Sequence, residues 1–317
     1  MESKSRYREL CDKETTIPIF SKDWWLDAVC GENNWDVVLV RRNTEIVASM
    51  PYYLTNEFGI KRIVMPKLTQ TMGPWIKYPQ GQKYSSKLSY EKEVLFKLIE
   101  RLPPFALFNQ NFHYSITNWL PFYWKSYQQT TKYSYVIEDL SCHNYIYENF
   151  RKQLRKEIRK AEKDISIFST DDLELFYEIN ELTFKRQGLN IPYSLDYVKK
   201  IDDACRIRNC RKIFFAVDKD DNVHSVLYLI WDNNSAYDLM GGTNPLYKNS
   251  NAKSLITWEA IKYASKVTKS FDFEGSMIEN VEYFIRGFGA VQKPYFHIHK
   301  VNSPLLKLIR AVSSLLK

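Results

Sequence analysis

Two stretches of the chain share one hydrophobic rhythm. Val38-Leu-Val-Arg-Arg-Asn43 passes through Thr44 and Glu45 into Ile46-Val-Ala-Ser-Met-Pro-Tyr-Tyr-Leu54. Far downstream, Phe215-Ala-Val-Asp-Lys-Asp-Asp-Asn222 leads into Val223-His-Ser-Val-Leu-Tyr-Leu-Ile230. Each reads as an apolar strand, a polar turn rich in Asn or Asp, and a second strand of small then aromatic residues. Two related lobes are the expectation. Around the first hairpin, the pattern predicts a helix over Ser21–Cys30 and a Pro/Gly-punctuated loop from Met65 to Trp75. It also predicts a helix over Ser89–Arg101, with Leu95, Leu98 and Ile99 apolar and Pro103-Pro104 as its stop. Phe105–Ile137 reads as aromatic-rich strand. The second lobe opens with a basic helix over Tyr147–Lys163, followed by helices over Leu173–Lys185 and Leu195–Ala204. A strand at Ala236–Met240 and a helix at Lys253–Val267 follow the second hairpin. Strands alternating with helices give an α/β (α+β) class: two tandem lobes with mixed sheets flanked by helices. The boundaries are residues 1–145, residues 146–300, and a basic amphipathic helix over residues 301–317.

The densest chemistry lies in Phe271-Asp-Phe-Glu-Gly-Ser276, running on to Arg286-Gly-Phe-Gly-Ala290. Side chains alternate along a strand, so Phe271 and Phe273 share one face while Asp272 and Glu274 share the other. Gly275 permits a turn, and Ser276 with Glu279 reads as a capping box for a helix lined by Ile278, Val281, Ile285 and Phe288. Two carboxylates buried without partners are costly, so that face should open onto a cleft.

Composition narrows the class. The chain has 317 residues, enough for two ordinary domains, and 44% hydrophobic residues mark it as globular. The polar start at Met1–Arg6 and the lack of an 18-residue apolar run point to the cytoplasm. Five scattered cysteines and five dispersed histidines offer neither a disulfide framework nor a metal site. The net charge of +8 favours an anionic partner. Arg151, Lys152, Arg155, Lys156, Arg159, Lys160 and Lys163 supply a surface for a diphosphate or tRNA backbone, the bland alternative being a solvated helix face. In Ser303–Lys317, Leu305, Leu308, Ile309, Val312 and Leu316 oppose Lys307, Arg310 and Lys317. Such a helix fits a peripheral membrane contact, the alternative being a helix docked on the lobes or on a second subunit.

The second lobe resembles the Fem-type (FemAB-like) branch of the GNAT acyltransferase superfamily. The resemblance rests on Arg155-Lys-Glu-Ile-Arg-Lys-Ala161, Phe215-Ala-Val-Asp218, Tyr237-Asp-Leu-Met-Gly-Gly-Thr-Asn-Pro245, Trp258-Glu-Ala-Ile261, Phe271–Ser276 and Phe288-Gly-Ala290. The first lobe adds Trp24-Trp25, Ala48 with Pro51, and Gly73-Pro74. The resemblance implies transfer of an acyl group to an amine. Its donor would be acyl-CoA or aminoacyl-tRNA as co-substrate, with no tightly bound cofactor. Its acceptor would be a nucleotide- or lipid-linked cell-wall or saccharide precursor. Two departures stand out. The loop Leu246–Ala252 lacks the glycine that acetyl-CoA enzymes use before the pyrophosphate-binding helix, although Ser250 or Asn251 can cap that helix. The Phe-Lys pair of tRNA-using members is replaced by Phe284-Ile285, with Arg286 one place later.

Amine acylation needs a base, a positioned carbonyl and a stabilised oxyanion. The catalytic candidates are Asp272 and Glu274, with Asp238 third in line as base, Arg286 for developing negative charge, and Tyr237 for the leaving group. Arg155, Lys156, Arg159, Lys248 and Lys253 are the substrate-binding candidates. A purely structural account pairs Asp272 with Arg286 or Lys293 and leaves Glu274 to fix the turn. The competing function is a non-catalytic anion- or RNA-binding protein on the same scaffold.

Overall fold

The computed structural model describes residues 2–304 and Leu306. The expected amphipathic segment Ser303–Lys317 therefore lies almost wholly outside the described residues. The chain forms two compact units, one of Met1–Lys132 with Pro294–Lys317 and the other of Tyr133–Lys293. This division differs from the boundaries drawn at 145 and 300. Residues 136–137 pair inside the second unit's sheet, and residues 297–301 return to pair inside the first.

The first unit begins with helices α1 (Glu2–Lys13) and α2 (Asp23–Cys30), the former not foreseen in the hydrophobic pattern. Strands β1 (Trp35–Arg42), β2 (Glu45–Glu57), β3 (Ile60–Val64) and the short β4 (Trp75–Ile76) follow. Helix α3 (Tyr84–Glu100), strand β5 (Leu107–Asn111) and helix α4 (Leu120–Trp124) come next. Helix α4 interrupts a stretch read as strand, because Pro121 suits the first helical turn and not a ladder. Strand β6 (Gln128–Ile137) carries the chain into the second unit.

There, helices α5 (His143–Glu148) and α6 (Lys152–Ala161) replace the single basic helix expected over Tyr147–Lys163. The break falls at Phe150, which is buried against Trp258 and Phe288, while Arg151 is extended at ψ 137°. Strand β7 (Ser166–Ser169), helices α7 (Leu173–Lys185) and α8 (Leu195–Ile207), and strands β8 (Arg211–Val217), β9 (Val223–Trp231) and β10 (Ser235–Thr243) follow. Helix α9 (Ala252–Ala264), strand β11 (Ser270–Asp272) and helix α10 (Glu279–Arg286) lead to β12 (Val291–Val301), which returns to the first unit.

The first unit's sheet runs β1-β2-β3-β5-β12, with β4 paired to β2. Among the described residues, β3 and β5 pair in parallel within it and the other pairs are antiparallel. The second unit's sheet runs β6-β11-β10-β9-β8-β7, with β10 and β11 parallel and its other pairs antiparallel. The two matching sequence segments are both antiparallel hairpins with a register shift near the turn, at Val40/Arg41 and at Ala216/Val217. Each turn holds a left-handed residue, Asn43 in one and Asp221 in the other, types that tolerate positive φ.

Each unit has its own core. In the first, Val94, Leu95 and Leu98 of α3 meet Val40, Met50, Phe108 and Phe112. In the second, Leu154, Ile158 and Ala161 of α6 pack with Leu255, Ile256 and Ala260 of α9 over Leu227, Ala236 and Phe271 of the sheet.

Candidate functional site

Parallel strands β10 and β11 pair over three positions only: Ser235 with Ser270, Ala236 with Phe271, and Tyr237 with Asp272. Strand β10 then continues to Thr243, bulging between Asp238 and Met240. Strand β11 ends at Asp272, and the chain turns at Glu274 and Gly275, with φ of 59° and 66°. The two strands thus part where the acidic residues lie. Ala236 and Phe271 point into the apolar core. Their neighbours Tyr237 and Asp272, both buried, project from the opposite face.

Asp272 is fully buried, and its Oδ1 accepts hydrogen bonds from the Ser134 hydroxyl and from the Glu274 amide at 2.8 Å. Glu274 is half-buried, and its Oε1 is buried with no hydrogen-bond partner. Burial raises the Glu274 carboxyl well above the usual carboxylate range, and the charges of Asp272 and Asp238 push it further. Asp238 is raised as well, by burial, against the opposing pull of Lys253. Lys253 Nζ stands 3.5 Å from Asp238 Oδ2. The result is a cluster of carboxylates in which Lys253 pairs with Asp238 and Oε1 of Glu274 is buried with neither cation nor donor. Such a carboxyl holds its proton at neutral pH far more readily than an exposed one and takes one from an amine as a stronger base.

The backbone around this group is closely fitted. A side chain on Gly275 would put its Cβ 2.1 Å from the Tyr133 carbonyl oxygen, so β6 can approach the turn only because Gly275 has none. A Cβ on Gly242 would come within 2.5 Å of the Ile179 carbonyl oxygen in α7. Asn180 of α7 donates from Nδ2 to the Gly241 carbonyl at 2.8 Å and accepts from the Tyr193 hydroxyl at 2.9 Å. The Tyr193 hydroxyl is raised by burial first, with nearby Tyr177 and Glu274 adding to it. Asn180 and Tyr193 therefore pin the far half of β10 beside the carboxylates.

The predicted residues divide accordingly. Asp272, Glu274, Asp238 and Lys253 come together, with Tyr237 beside Asp272 on the neighbouring strand. Arg286 does not join them: it is largely exposed, its Nε bonds Glu282 Oε1 at 3.0 Å, and its guanidinium lies over Tyr283. The same Glu282 oxygen accepts from the Tyr135 hydroxyl. Lys293 is held by Glu138. The structural account that paired Asp272 with Arg286 or Lys293 is therefore not realised. Lys156 and Arg159 are exposed on α6, Arg155 is half-buried there, and Lys248 is exposed in the loop before α9.

The Ser276–Glu279 capping box does not form. Ser276 Oγ accepts from the Ile278 amide, and Ile278 itself occupies the cap position without a side-chain bond. Ile285 and Phe288 are buried as expected, but Ile278 and Val281 are exposed. The helix therefore starts two residues later than the motif would place it.

The acidic face was expected to open onto a cleft. Cavities of about 390, 510 and 250 Å³ in this unit are lined by other residues, the largest by Lys160, Lys163, His224 and Ser250 among others. The close approach of Tyr133 and Ser134 to the turn encloses Asp272 instead. In the loop before α9, Ser250 Oγ accepts from the Ala252 amide at 3.3 Å, and Asn251 takes a left-handed conformation at φ 61° where a glycine was missing from the sequence.

Ser134, Asn180 and Tyr193 escaped the sequence reading. Asn180 left one trace: it follows Phe176 by four and Ile179 by one, so it sits on the buried face of α7 as a polar residue. Ser134 left none, since its partner is 138 residues away.

A family model for the acetyltransferase (GNAT) domain matches residues 148–283. No curated protein matches the chain. Among solved structures, the fold is similar to that of FemX, with a TM-score of 0.68 and 12% identity over 96% of this chain and 98% of that one. It is similar to the C-terminal domain of a protein described as a lysylphosphatidylglycerol synthetase from Agrobacterium fabrum (TM-score 0.55, 10% identity, 98% and 97% covered). A tandem GNAT protein from the clavulanic acid biosynthesis pathway is also similar (TM-score 0.53, 9% identity, 96% of each chain). Residues 148–283, which hold Asp238, Lys253, Asp272 and Glu274, thus match the acetyltransferase (GNAT) domain, and the fold of the chain is similar to that of FemX.

Proposed function

We propose that the chain transfers an acyl or aminoacyl group from acyl-CoA or aminoacyl-tRNA to an amine of a cell-wall or saccharide precursor carried on a nucleotide or lipid, with Glu274 as the base. The observation that carries this reading is the buried, unpartnered Oε1 of Glu274 at the point where β10 and β11 part. The amine nitrogen attacks the donor carbonyl, a C–N bond forms, and the C–S or C–O bond to the donor breaks. Glu274 accepts the proton lost by the amine. Asp272, fixed by Ser134 and by the Glu274 amide, keeps that carboxyl basic through its charge. Tyr237, beside Asp272 on the neighbouring strand, returns a proton to the leaving group in this reading. Lys253 supplies positive charge for the oxyanion, a role the exposed Arg286 is too far engaged with Glu282 to fill. The similarity to FemX and to a protein described as a lysylphosphatidylglycerol synthetase supports an aminoacyl donor and a precursor or lipid acceptor. The basic face of α6, with Arg155, Lys156 and Arg159, and the loop carrying Lys248 then serve the phosphates of donor or acceptor.

The test offers purified protein each donor class in turn, acyl-CoA and charged tRNA, with amino-sugar nucleotides and muropeptide precursors. Products are read by mass spectrometry. An acylated amine formed by the native protein and lost with Glu274→Gln is the expected result. No product from any pairing overturns the proposal.

A further inference from the structure

The first unit exposes apolar side chains that its core does not need. Helix α3 buries Tyr90, Val94, Leu95 and Leu98, yet Tyr84, Leu88, Lys92 and Phe96 follow one another at four-residue spacing on another side of the same helix. Phe96 meets Trp124 of α4 with ring centroids 6.0 Å apart, and Leu120 lies one turn before Trp124. Tyr84, Leu88, Leu120, Tyr123 and Trp124 are between 37% and 74% exposed. Together they form an aromatic and aliphatic ridge on α3 and α4, joined by the Phe96–Trp124 contact, where scattered single residues would need no explanation.

Once the ion pairs are set against each other, the charge left around the ridge is positive. Lys92 Nζ lies 5.2 Å from the Trp124 ring centre, and Lys125 Nζ lies 5.2 Å from that of Phe96. Of the neighbouring carboxylates, Glu93 is held by Arg42 and Lys97 and Glu91 lies 3.9 Å from Lys87, while Glu100 and Lys125 cancel each other. Among the described residues, no ion pair engages Lys83 or Lys92. Tryptophan, tyrosine and leucine rimmed by lysine match a lipid–water interface, where rings sit at headgroup level and lysine heads reach anionic phosphates. A soluble protein partner would need acidic patches complementary to these lysines, whereas an anionic bilayer supplies both the apolar layer and the charge. No helix among the described residues is long and apolar enough to cross a membrane, so the contact is peripheral.

We propose that the ridge of Tyr84, Leu88, Phe96, Leu120, Tyr123 and Trp124, with Lys92, docks the protein on an anionic lipid bilayer. This is independent of the reaction assigned above and survives its failure.

The experiment is co-sedimentation of the full chain with vesicles of phosphatidylcholine alone or mixed with phosphatidylglycerol. The full chain should bind the anionic vesicles at least tenfold more tightly, with the difference shrinking at high salt. The double variant Lys92→Glu, Trp124→Ser should lose at least tenfold in binding while its circular dichroism stays unchanged. Trp124→Phe, which keeps the ridge apolar, should retain binding but show less quenching of tryptophan fluorescence by brominated lipid. Equal binding to both vesicle types, undiminished binding by the double variant, or quenching unchanged by Trp124→Phe overturns the proposal. So does sedimentation equilibrium without lipid that shows a dimer dissolved by Trp124→Ser, since the ridge would then be a protein interface.

Discussion

The amide of Glu274 donates to Oδ1 of Asp272 at 2.8 Å, so one carboxylate is fixed by the backbone of the residue that carries the other. The bond has two consequences. It holds Glu274 in the left-handed region at φ 59°, and it keeps two acids close enough for the charge of Asp272 to raise the Glu274 carboxyl. Left-handed conformations of residues other than glycine are uncommon and are retained where the surroundings enforce them.

Replacing Glu274 by Gln keeps the shape and removes the base. Turnover should fall by roughly 10²–10⁴-fold with the substrate KM little changed. The native enzyme should gain activity as pH rises through the elevated Glu274 value, and the variant should lose that limb. Steady-state kinetics across pH measures both.

The same carboxyl makes stability depend on pH in a definite direction. Its folded value is raised, so the folded chain keeps a proton that the unfolded chain has already released. The associated stability is fully present below the ordinary carboxylate value. It is lost as pH rises from there to the raised value. Glu274→Gln should therefore match the native protein's Tm in acid and exceed it at alkaline pH. A Tm difference that does not grow with pH would contradict the assignment.

Gly275→Ala places a methyl group 2.1 Å from the Tyr133 carbonyl oxygen at a backbone angle that L-residues avoid. The expected loss is at least about 2 kcal/mol in denaturant unfolding, above the usual cost of a surface change. Asp272 would lose its fixed turn, so activity should fall more than the folded fraction alone explains.

Asn180→Ala removes the donor to the Gly241 carbonyl and the acceptor of the Tyr193 hydroxyl, both inside the protein. A destabilisation of about 1–3 kcal/mol is expected, because buried partners are left unsatisfied. Tyr193→Phe should cost less, since it removes only one of the two bonds.

Lys253→Met leaves Asp238 without its ion-pair partner at the same half-buried position. The Asp238 carboxyl, already raised by burial, should rise further and take up a proton, easing the charge that acts on Glu274. The pH–activity limb assigned to Glu274 should then shift toward lower pH, and oxyanion stabilisation should weaken, lowering turnover. A limb that moves upward instead would show that Asp238 stays ionised.

The sequence by itself determined several local elements, though not α1, α4 or the break between α5 and α6, and it marked the acidic strand. Periodicity marked α7, α9 and both bulged hairpins, because alternation and helical spacing are properties of neighbours in the chain. The spacing of Phe271, Asp272, Phe273 and Glu274 separated two core rings from two acids for the same reason. Tertiary structure alone decided what those acids meet. Ser134, Asn180 and Tyr193 reach the site through pairing of β6 with β11 and packing of α7 on β10, contacts across tens to over a hundred residues that leave no local periodic signal. It also set Arg286 apart, since the strained turn at Glu274 and Gly275 redirects the chain before α10 begins. Close approach of backbones, such as β6 against Gly275, depends on volume excluded by side chains far apart in the chain, and no reading of consecutive residues contains it.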